Sequence, residues 1–595
     1  MNDIREFLSR RPLLFDGGMG TYYKAAPGTE CERANQTDPA GVQAVHREYL
    51  EAGADAIKTN TFGLPRMAAA HTPGWEALAE AGWKLAEAAA PAGAFVFADL
   101  GPAPETEALP AAQVYTAVAE QFRKLGAKNF LFETLSSDAG ILEAVRTLKA
   151  AEPDAFVLVS FAVLPDGYTR EGLYCKDLVR RMSESGCVDA VGLNCVSAPG
   201  AMRTLARSLS SALPLSVMPN AGYPVVTRTQ VRYQGKPEYF AQELSGLAAD
   251  GVVRILGGCC GTTPAHIAAL RAALDALPET AAPARTKEFS TPETKPVENE
   301  DAFLRKLNAG EKVIAIELDS PRNADLTAYL EGARKLQAAG ADLLTIADCP
   351  IAQARMDSSL VACRVHRELG MCTLPHMTCR DRNLNATKAL LLGLYAEGVR
   401  EVLAITGDPI PTAERDEVKN VYQFNSRKLA QYIVSLAGEG REMPSAMTVF
   451  GALNLNARNF EVELRRAGEK LEHGMSGFLT QPVLSGQAVE NLRHAREVLG
   501  SRARILAGIM PVVSQRNAIF MENEINGIHV EEDIIRQFAG LDRAQGEELG
   551  LAISLTMARE ALPYADGFYL MTPFNRVALM ERLIARLRTE VLQES

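Results

Sequence analysis

Two short stretches carry the residue types most able to do chemistry. One reads Leu256-Gly257-Gly258-Cys259-Cys260-Gly261-Thr262-Thr263, and the other places a third cysteine in Gly192-Leu193-Asn194-Cys195. Adjacent cysteines do not readily bridge each other, because a vicinal disulfide strains the peptide between them. They do suit one soft metal ion, with a distant third thiolate completing the set. Three protein ligands leave a fourth position open, as in a catalytic rather than a structural zinc site, and a thiol bound there becomes a thiolate nucleophile near neutral pH. Read without its surroundings, a Cys-Cys pair is equally a pair of buried apolar thiols.

Other polar residues follow short apolar runs in the first half: Asp16-Gly17-Gly18-Met19-Gly20-Thr21, Lys58-Thr59-Asn60-Thr61-Phe62 and Glu133-Thr134. Glycines after a strand let the backbone approach a ligand and offer amide N–H groups to a carboxylate, while Asp16 and Glu133 suit an ammonium group. Together with the cysteines they describe a site for a zwitterionic amino acid bearing a thiol. In the second half the strand ends are expected to carry Glu317, Thr345, His376, Gly407-Asp408, Lys470 and Gln481. Two carboxylates and an amide over one mouth suit a heteroaromatic ligand that needs a proton and edge hydrogen bonds. No GxGxxG fingerprint or P-loop occurs.

These residues need a scaffold that brings many strand ends to one place. Each half repeats a short apolar run followed by an amphipathic segment. The runs begin at Leu13, Ala56, Phe95, Phe130, Val157, Ala190, Leu215 and Ile255, and again at Val313, Leu343, Thr373, Val402, Met447, Gly477, Ile505 and Gly567. Eight β/α units in about 280 residues is the rhythm of a (β/α)8 barrel, so the fold class is α/β with two TIM barrels; a doubly wound sheet is the alternative. The stretch from Leu277 to Glu300 is rich in Pro, Thr, Glu and Lys and lacks apolar periodicity. It predicts a first barrel at 1–280, a linker at 281–297 and a second barrel at 298–595.

With 595 residues, 47% hydrophobic composition and net charge −11, the chain falls among multi-domain globular proteins, and no basic block suggests nucleic acid as a partner. Met1-Asn2-Asp3-Ile4-Arg5-Glu6 lacks an apolar signal core and no apolar run is long enough to span a bilayer, so a cytoplasmic location without membrane contact is expected. Ten cysteines in so long a chain do not make a disulfide framework.

The motifs DGGMGT at 16–21, TNTF at 59–62, FET at 132–134, GLNC at 192–195 and GGCCGT at 257–262 resemble, in that order, the zinc-dependent homocysteine S-methyltransferases. The resemblance implies Zn2+ on Cys195, Cys259 and Cys260, with homocysteine near Asp16, Gly17 and Glu133. From about residue 297 onward, Glu317, Pro375-His376-Met377-Thr378-Cys379, Gly407-Asp408 and Leu479-Thr480-Gln481-Pro482 resemble the FAD-containing methylenetetrahydrofolate reductases. That implies Glu317 as general acid, Asp408 at flavin and pterin, and Gln481 on folate. It further implies Thr345, His376, Gly407 and Lys470 on FAD, and Arg576 toward the folate glutamate tail. Leu318 and Asp319 stand where aromatic residues usually follow the acid, and Thr406 stands where some members carry Arg.

The expected activity is therefore double: methylation of homocysteine, and reduction of 5,10-methylenetetrahydrofolate to 5-methyltetrahydrofolate. The alternative is a first barrel that only binds zinc or thiols and regulates the reductase. NADH, NADPH or a partner electron carrier would supply the reductant. The methyl donor would be a sulfonium, a methyl-folate or a separate corrinoid protein, with the sulfonium favoured because its leaving group is better than a neutral folate amine. A homo-oligomer is compatible with all of this.

Overall fold

The structure, a computed structural model, describes residues 3–23, 29–104, 109–222, 224–226, 231–233, 235–277, 300–408, 420–438, 440–525 and 527–593. Residues 281–297, read as the linker, lie outside them. Backbone contacts divide the chain into two units, Met1–Thr291 and Pro292–Ser595.

In the first unit an eight-stranded parallel sheet contains β1 (Leu13–Leu14), β2 (Ala56–Lys58), β3 (Phe95–Leu100), β4 (Asn129–Leu135), β5 (Phe156–Phe161), β6 (Ala190–Asn194), β7 (Leu215–Met218) and β10 (Ile255–Leu256). β10 pairs with β1, and a parallel bridge from Phe15 to Ala56 joins β1 to β2 and closes the barrel. A hairpin the periodicity did not anticipate, β8 (Pro224–Val226) and β9 (Val231–Tyr233), is inserted after β7. In the second unit β11 (Val313–Glu317), β12 (Leu343–Ile346), β13 (Cys372–Thr378), β14 (Glu401–Ile405), β15 (Thr448–Leu453), β16 (Gly477–Pro482), β17 (Arg504–Ile509) and β18 (Gly567–Met571) form a closed parallel barrel. Both units are thus (β/α)8 barrels, with each predicted run at a strand.

Inward-facing residues alternate with a period of two. In the first barrel Leu13, Phe15, Ala56, Phe95, Phe97, Leu131, Phe156, Leu158, Ala190 and Ile255 fill the lower interior. The rings of Phe15 and Phe97 lie 4.7 Å apart, and those of Phe97 and Phe156 6.1 Å. The helix Ile4–Arg10, capped by the Asp3 carboxylate on the Arg5 amide, plugs the bottom with Ile4 and Leu8. The second barrel uses the same device. The helix Ala302–Asn308, capped by Asp301, sets Phe303, Leu304 and Leu307 against Val313, Ala315, Leu374 and Phe450. Two residues further along the same inward register, the side chains become polar: Lys58, Asp99, Glu133 and Ser160 in the first barrel, Glu317, Thr345, His376 and Gln481 in the second. Each apolar floor therefore supports a polar layer at the carboxyl ends of the strands.

Candidate active sites

At the C-terminal mouth of the first barrel, Cys195 follows β6 and Cys259 and Cys260 follow β10. Their sulfur atoms all lie within 4.8 Å of one another, with Cys195 Sγ 3.8 Å from Cys260 Sγ. Cys195 and the next residue, Val196, hold left-handed backbone (φ 54° and 53°), a conformation costly for non-glycine residues and typical of functional sites. The glycines nearby are needed for packing against this turn. A Cβ on Gly18 would lie 2.6 Å from the Cys259 carbonyl oxygen, and one on Gly258 would lie 2.3 Å from Thr262 Oγ1. All ten cysteines are free thiols. Cys260 accepts hydrogen bonds from Cys195 and then Cys259, which with Lys58 nearby pull it down to about 3, so one thiolate is already favoured. Cys195 is helped toward the thiolate by Cys259, but donating to Cys260 and burial outweigh this and push it up to about 12. A trio of soft donors with a shared negative charge fits a thiophilic cation such as zinc.

The same cavity, about 220 Å³, is lined by Gly17, Glu32, Lys58, Asp99, Glu133 and Thr134 together with the three cysteines. The Lys58 ammonium donates to the Gly258 carbonyl at 3.2 Å and lies 3.4 Å from Asp16 Oδ1 and 4.0 Å from Glu133 Oε2. Burial opposes its charge, but Glu133 and Asp16 overcome this and hold it above the ordinary lysine range. Asp16 also accepts the Lys58 amide at 3.0 Å, and burial, opposed by Lys58, raises its carboxyl to about 6. Asp16 is not among the cavity's lining residues; it sits behind Lys58. Burial raises Glu133 as well, against the pull of Lys58. Asn194 Nδ2 bonds both Glu133 Oε2 (3.1 Å) and Thr134 Oγ1 (2.9 Å), tying the β4 and β6 ends together. Lys58 is among the polar residues that the sequence marks at the strand ends, whereas nothing in the sequence singles out Asp99.

In the second barrel Glu317, His376, Gly407, Asp408 and Gln481 line one cavity of about 560 Å³, together with Asp348, Tyr569, Phe520 and Phe574. Glu317 ends β11, and burial raises its carboxyl to about 7, opposed by the phenol of Tyr569, which donates to Glu317 Oε2. His376 Nε2 lies 3.7 Å from Glu317 Oε2, and burial lowers the imidazole to about 4, so it is neutral at pH 7. Thr345 pairs in register with Glu317, is fully buried, and its Oγ1 makes no hydrogen bond among the described residues. Asp348 accepts Thr378 Oγ1 at 2.9 Å and Arg382 at 2.7 Å, which fixes the end of β13. Gly407 has φ 90°, and a Cβ there would meet Thr378 Cβ at 2.9 Å. Asp408 is exposed at the rim, its carbonyl accepting from Arg380 and Tyr422 at 3.3 Å. A register shift between Leu479 and Pro482 re-aims the strand around Gln481.

Two residues depart from expectation. Lys470 is not at a strand end but in the helix Phe460–Glu472, because Asn459 caps an amphipathic segment that runs through it. Its long side chain reaches back so that Nζ donates to the Ala452 carbonyl on β15 at 2.6 Å, and it does not line the cavity. Arg576 likewise stands outside the lining, paired with Glu547 at 3.1 Å. Tyr569 lay inside the last apolar run and gave no separate signal. Phe574, left-handed at φ 52° and 70% exposed, projects at the cavity mouth.

Residues 13–274 match the homocysteine S-methyltransferase family and residues 302–587 the methylenetetrahydrofolate reductase family. Methionine synthase of Mycobacterium tuberculosis is 33% identical over 302 residues, 46% of this chain and 25% of that protein. The methionine synthase of Mycobacterium leprae is 32% identical with the same coverage. The chain spans about a quarter of the length of these curated relatives. Crystal structures of the homocysteine methyltransferase MmuM from Escherichia coli, in oxidized and metallated forms, align at 25% and 23% identity over 46% of this chain and 99% of theirs, with TM-scores of 0.38.

Proposed function

We propose that this chain, which joins a homocysteine S-methyltransferase domain to a methylenetetrahydrofolate reductase domain, methylates homocysteine in its first barrel and reduces 5,10-methylenetetrahydrofolate in its second. The observation that carries the first activity is the cysteine trio in one cavity with Lys58 and buried carboxylates. Cys195, Cys259 and Cys260 would hold zinc, whose Lewis acidity would keep the acceptor thiol ionised near neutral pH. Glu133 and the Gly17 backbone flank the amino acid, with Asp16 acting through Lys58. Among the described lining residues the surplus of carboxylates over the single cation favours a positively charged donor, a sulfonium, over a neutral methyl-folate.

In the second barrel, FAD would supply the reducing equivalents, received from NADH, NADPH or an electron carrier. His376, Gly407 and Asp408 would hold it from the cavity wall, with the buried Thr345 behind them and Lys470 supporting β15 from outside. Glu317, with its carboxyl raised to about 7, stays partly protonated at neutral pH and delivers that proton to the folate nitrogen. Gln481 holds the pterin edge, and Arg576 meets the glutamate tail after leaving Glu547. We place the domains at 1–280 and 298–595 with a linker between them, and the protein in the cytoplasm; among the described residues no helix is long and apolar enough to cross a membrane. The test is metal analysis and a flavin spectrum on purified protein, followed by methionine formation with a panel of sulfonium, methyl-folate and corrinoid donors. Methionine from none of them, in zinc-loaded protein, would leave the first barrel as a binding module.

A further inference from the structure

One carboxylate of the first cavity takes no side-chain hydrogen bond and no ion pair from the described residues. Lys58 contacts both oxygens of Asp16, and Asn194 and Lys58 approach Glu133. Glu32 accepts the Gly63 amide at 2.5 Å. Asp16 Oδ1 also lacks a hydrogen bond but keeps its ion pair with Lys58, whereas Asp99 has neither among the described residues. It is 4% exposed and lines the cavity beside the cysteines, yet its Oδ1 has no hydrogen-bond partner among the described residues. Its backbone is clamped at both ends: the Asp99 amide donates to Thr59 Oγ1 at 3.0 Å, and its carbonyl accepts from Thr61 Oγ1 at 2.8 Å. The β3 register that puts Phe95 and Phe97 in the barrel floor puts Asp99 in the layer above it. A buried carboxylate without a donor is costly, and burial, then Glu133, raise its proton affinity well above the usual range against the pull of Lys58.

We propose that Asp99 receives the ammonium group of the thiol substrate, and so selects an α-amino acid over a simple thiol. This rests on the first barrel being the acceptor site. A cavity of about 220 Å³ suits a small amino acid. With its sulfur at the cysteine trio and its ammonium at Asp99, the substrate would bring into contact the cation that Lys58, in contact with Asp16, Glu133 and the Gly258 carbonyl, supplies to Asp99 only from a distance. Glu133 would then be a second neighbour of the same ammonium, and Asp16 only the anchor of Lys58.

Calorimetric binding of two thiols to the zinc-loaded full-length protein tests this: homocysteine, and 4-sulfanylbutanoate, which lacks only the amino group. Losing a charge-assisted hydrogen bond to a buried group corresponds to roughly 10- to 100-fold in affinity. The wild type is expected to prefer homocysteine by at least that factor. Asp99→Asn should lose most of the preference by weakening homocysteine alone, with 4-sulfanylbutanoate bound as well as before or better. Asp99→Ala, which removes the amide as well, should behave the same way, and unchanged zinc content reports that the barrel is intact. Retained discrimination in both variants overturns the proposal, as does equal weakening of both thiols with zinc in place. Unchanged thiol binding with a raised KM for a sulfonium donor overturns it in favour of a donor-side role. A wild type that binds neither thiol sinks the acceptor-site reading itself.

Discussion

The floor of the first barrel is aromatic, with Phe15, Phe97 and Phe156 in ring contact, whereas that of the second is mostly aliphatic, with Phe303 and Phe450 as its ring pair. Above these floors the polar layers differ more. The first mouth packs Asp16, Asp99 and Glu133 around one ammonium, Lys58, in and behind a cavity of about 220 Å³. The second sets Glu317 between a phenol and a neutral imidazole in a cavity of about 560 Å³, whose buried Asp348 is already paired with Arg382. One scaffold thus carries two electrostatic solutions. Fixed opposite charges in a tight space suit a small zwitterion that brings its own charges. A carboxyl that burial raises to about 7 suits proton delivery to a large, flat heteroaromatic ring.

If the two mouths are chemically independent, the most damaging change in one should spare the other. Cys259→Ser is expected to release zinc and abolish methionine formation, while the flavin spectrum and folate reduction stay at wild-type level. Metal analysis and the two assays on one preparation check it. Parallel loss of both activities would mean that the comparison treats as separate what the protein couples.

Glu317→Gln is the matching lesion in the second mouth. It keeps the shape but removes the proton, so folate reduction should fall by roughly 10²-fold or more. Reduction of the flavin by its electron donor should change little, because that half-reaction needs no acid from this residue. Stopped-flow traces of the two half-reactions separate these outcomes, and equal slowing of both would reject the acid role.

The floors were far more legible in the sequence than the sites. Each apolar run marks a strand, but several strands extend beyond the apolar signal at the carboxyl end. The run at Phe95-Val96-Phe97 continues to Leu100, and the one at Thr373-Leu374 continues to Thr378. The physical cause is common to both barrels: inward positions turn polar where the floor gives way to the site, so the apolar signal stops just below the chemistry. Counting on by two from Phe97 would have reached Asp99, as it reaches His376 from Leu374. The cysteine trio was visible because its residue type is rare enough to stand out without periodicity. Lys470 was misplaced for the opposite reason: a helix on the barrel's outside lends a long side chain to a strand end, and spacing along the chain does not record that reach. Tyr569 stayed hidden because a tyrosine in an apolar run reads as core until its hydroxyl is seen against Glu317.

The shared plug offers a subtler comparison. Phe303 is fully buried under the second barrel, while Phe7 is only partly buried against Phe95 under the first. Phe303→Ala should cost about 3–5 kcal/mol of the second unit's stability, within the range for a buried Phe. Phe7→Ala should cost the first unit less. Urea unfolding followed by flavin fluorescence for one unit and by zinc release for the other measures both, and a larger effect at Phe7 would show that the first barrel leans harder on its plug.

The smallest expected effect is the most specific to the second mouth. The Tyr569 phenol donates to Glu317 Oε2, which favours the ionised carboxylate and therefore lowers a carboxyl that burial has raised to about 7. Tyr569→Phe keeps the ring in the floor but removes that donor, so the Glu317 carboxyl should rise further. An acid with a higher pKa stays protonated to higher pH, and the alkaline limb of folate reduction, expected near pH 7 in the wild type, should move upward. The shift should be accompanied by no more than about a tenfold change in the plateau rate at low pH, since the acid itself remains. His376, neutral across this range, contributes no compensating charge. The pH profile of the folate half-reaction, taken by stopped flow on both proteins, carries the test. A limb that stays in place with a lowered plateau would make Tyr569 a packing residue. A limb that moves to lower pH would mean that the phenol stabilises the protonated acid instead, and that Glu317 is held by a different balance from the one its burial implies.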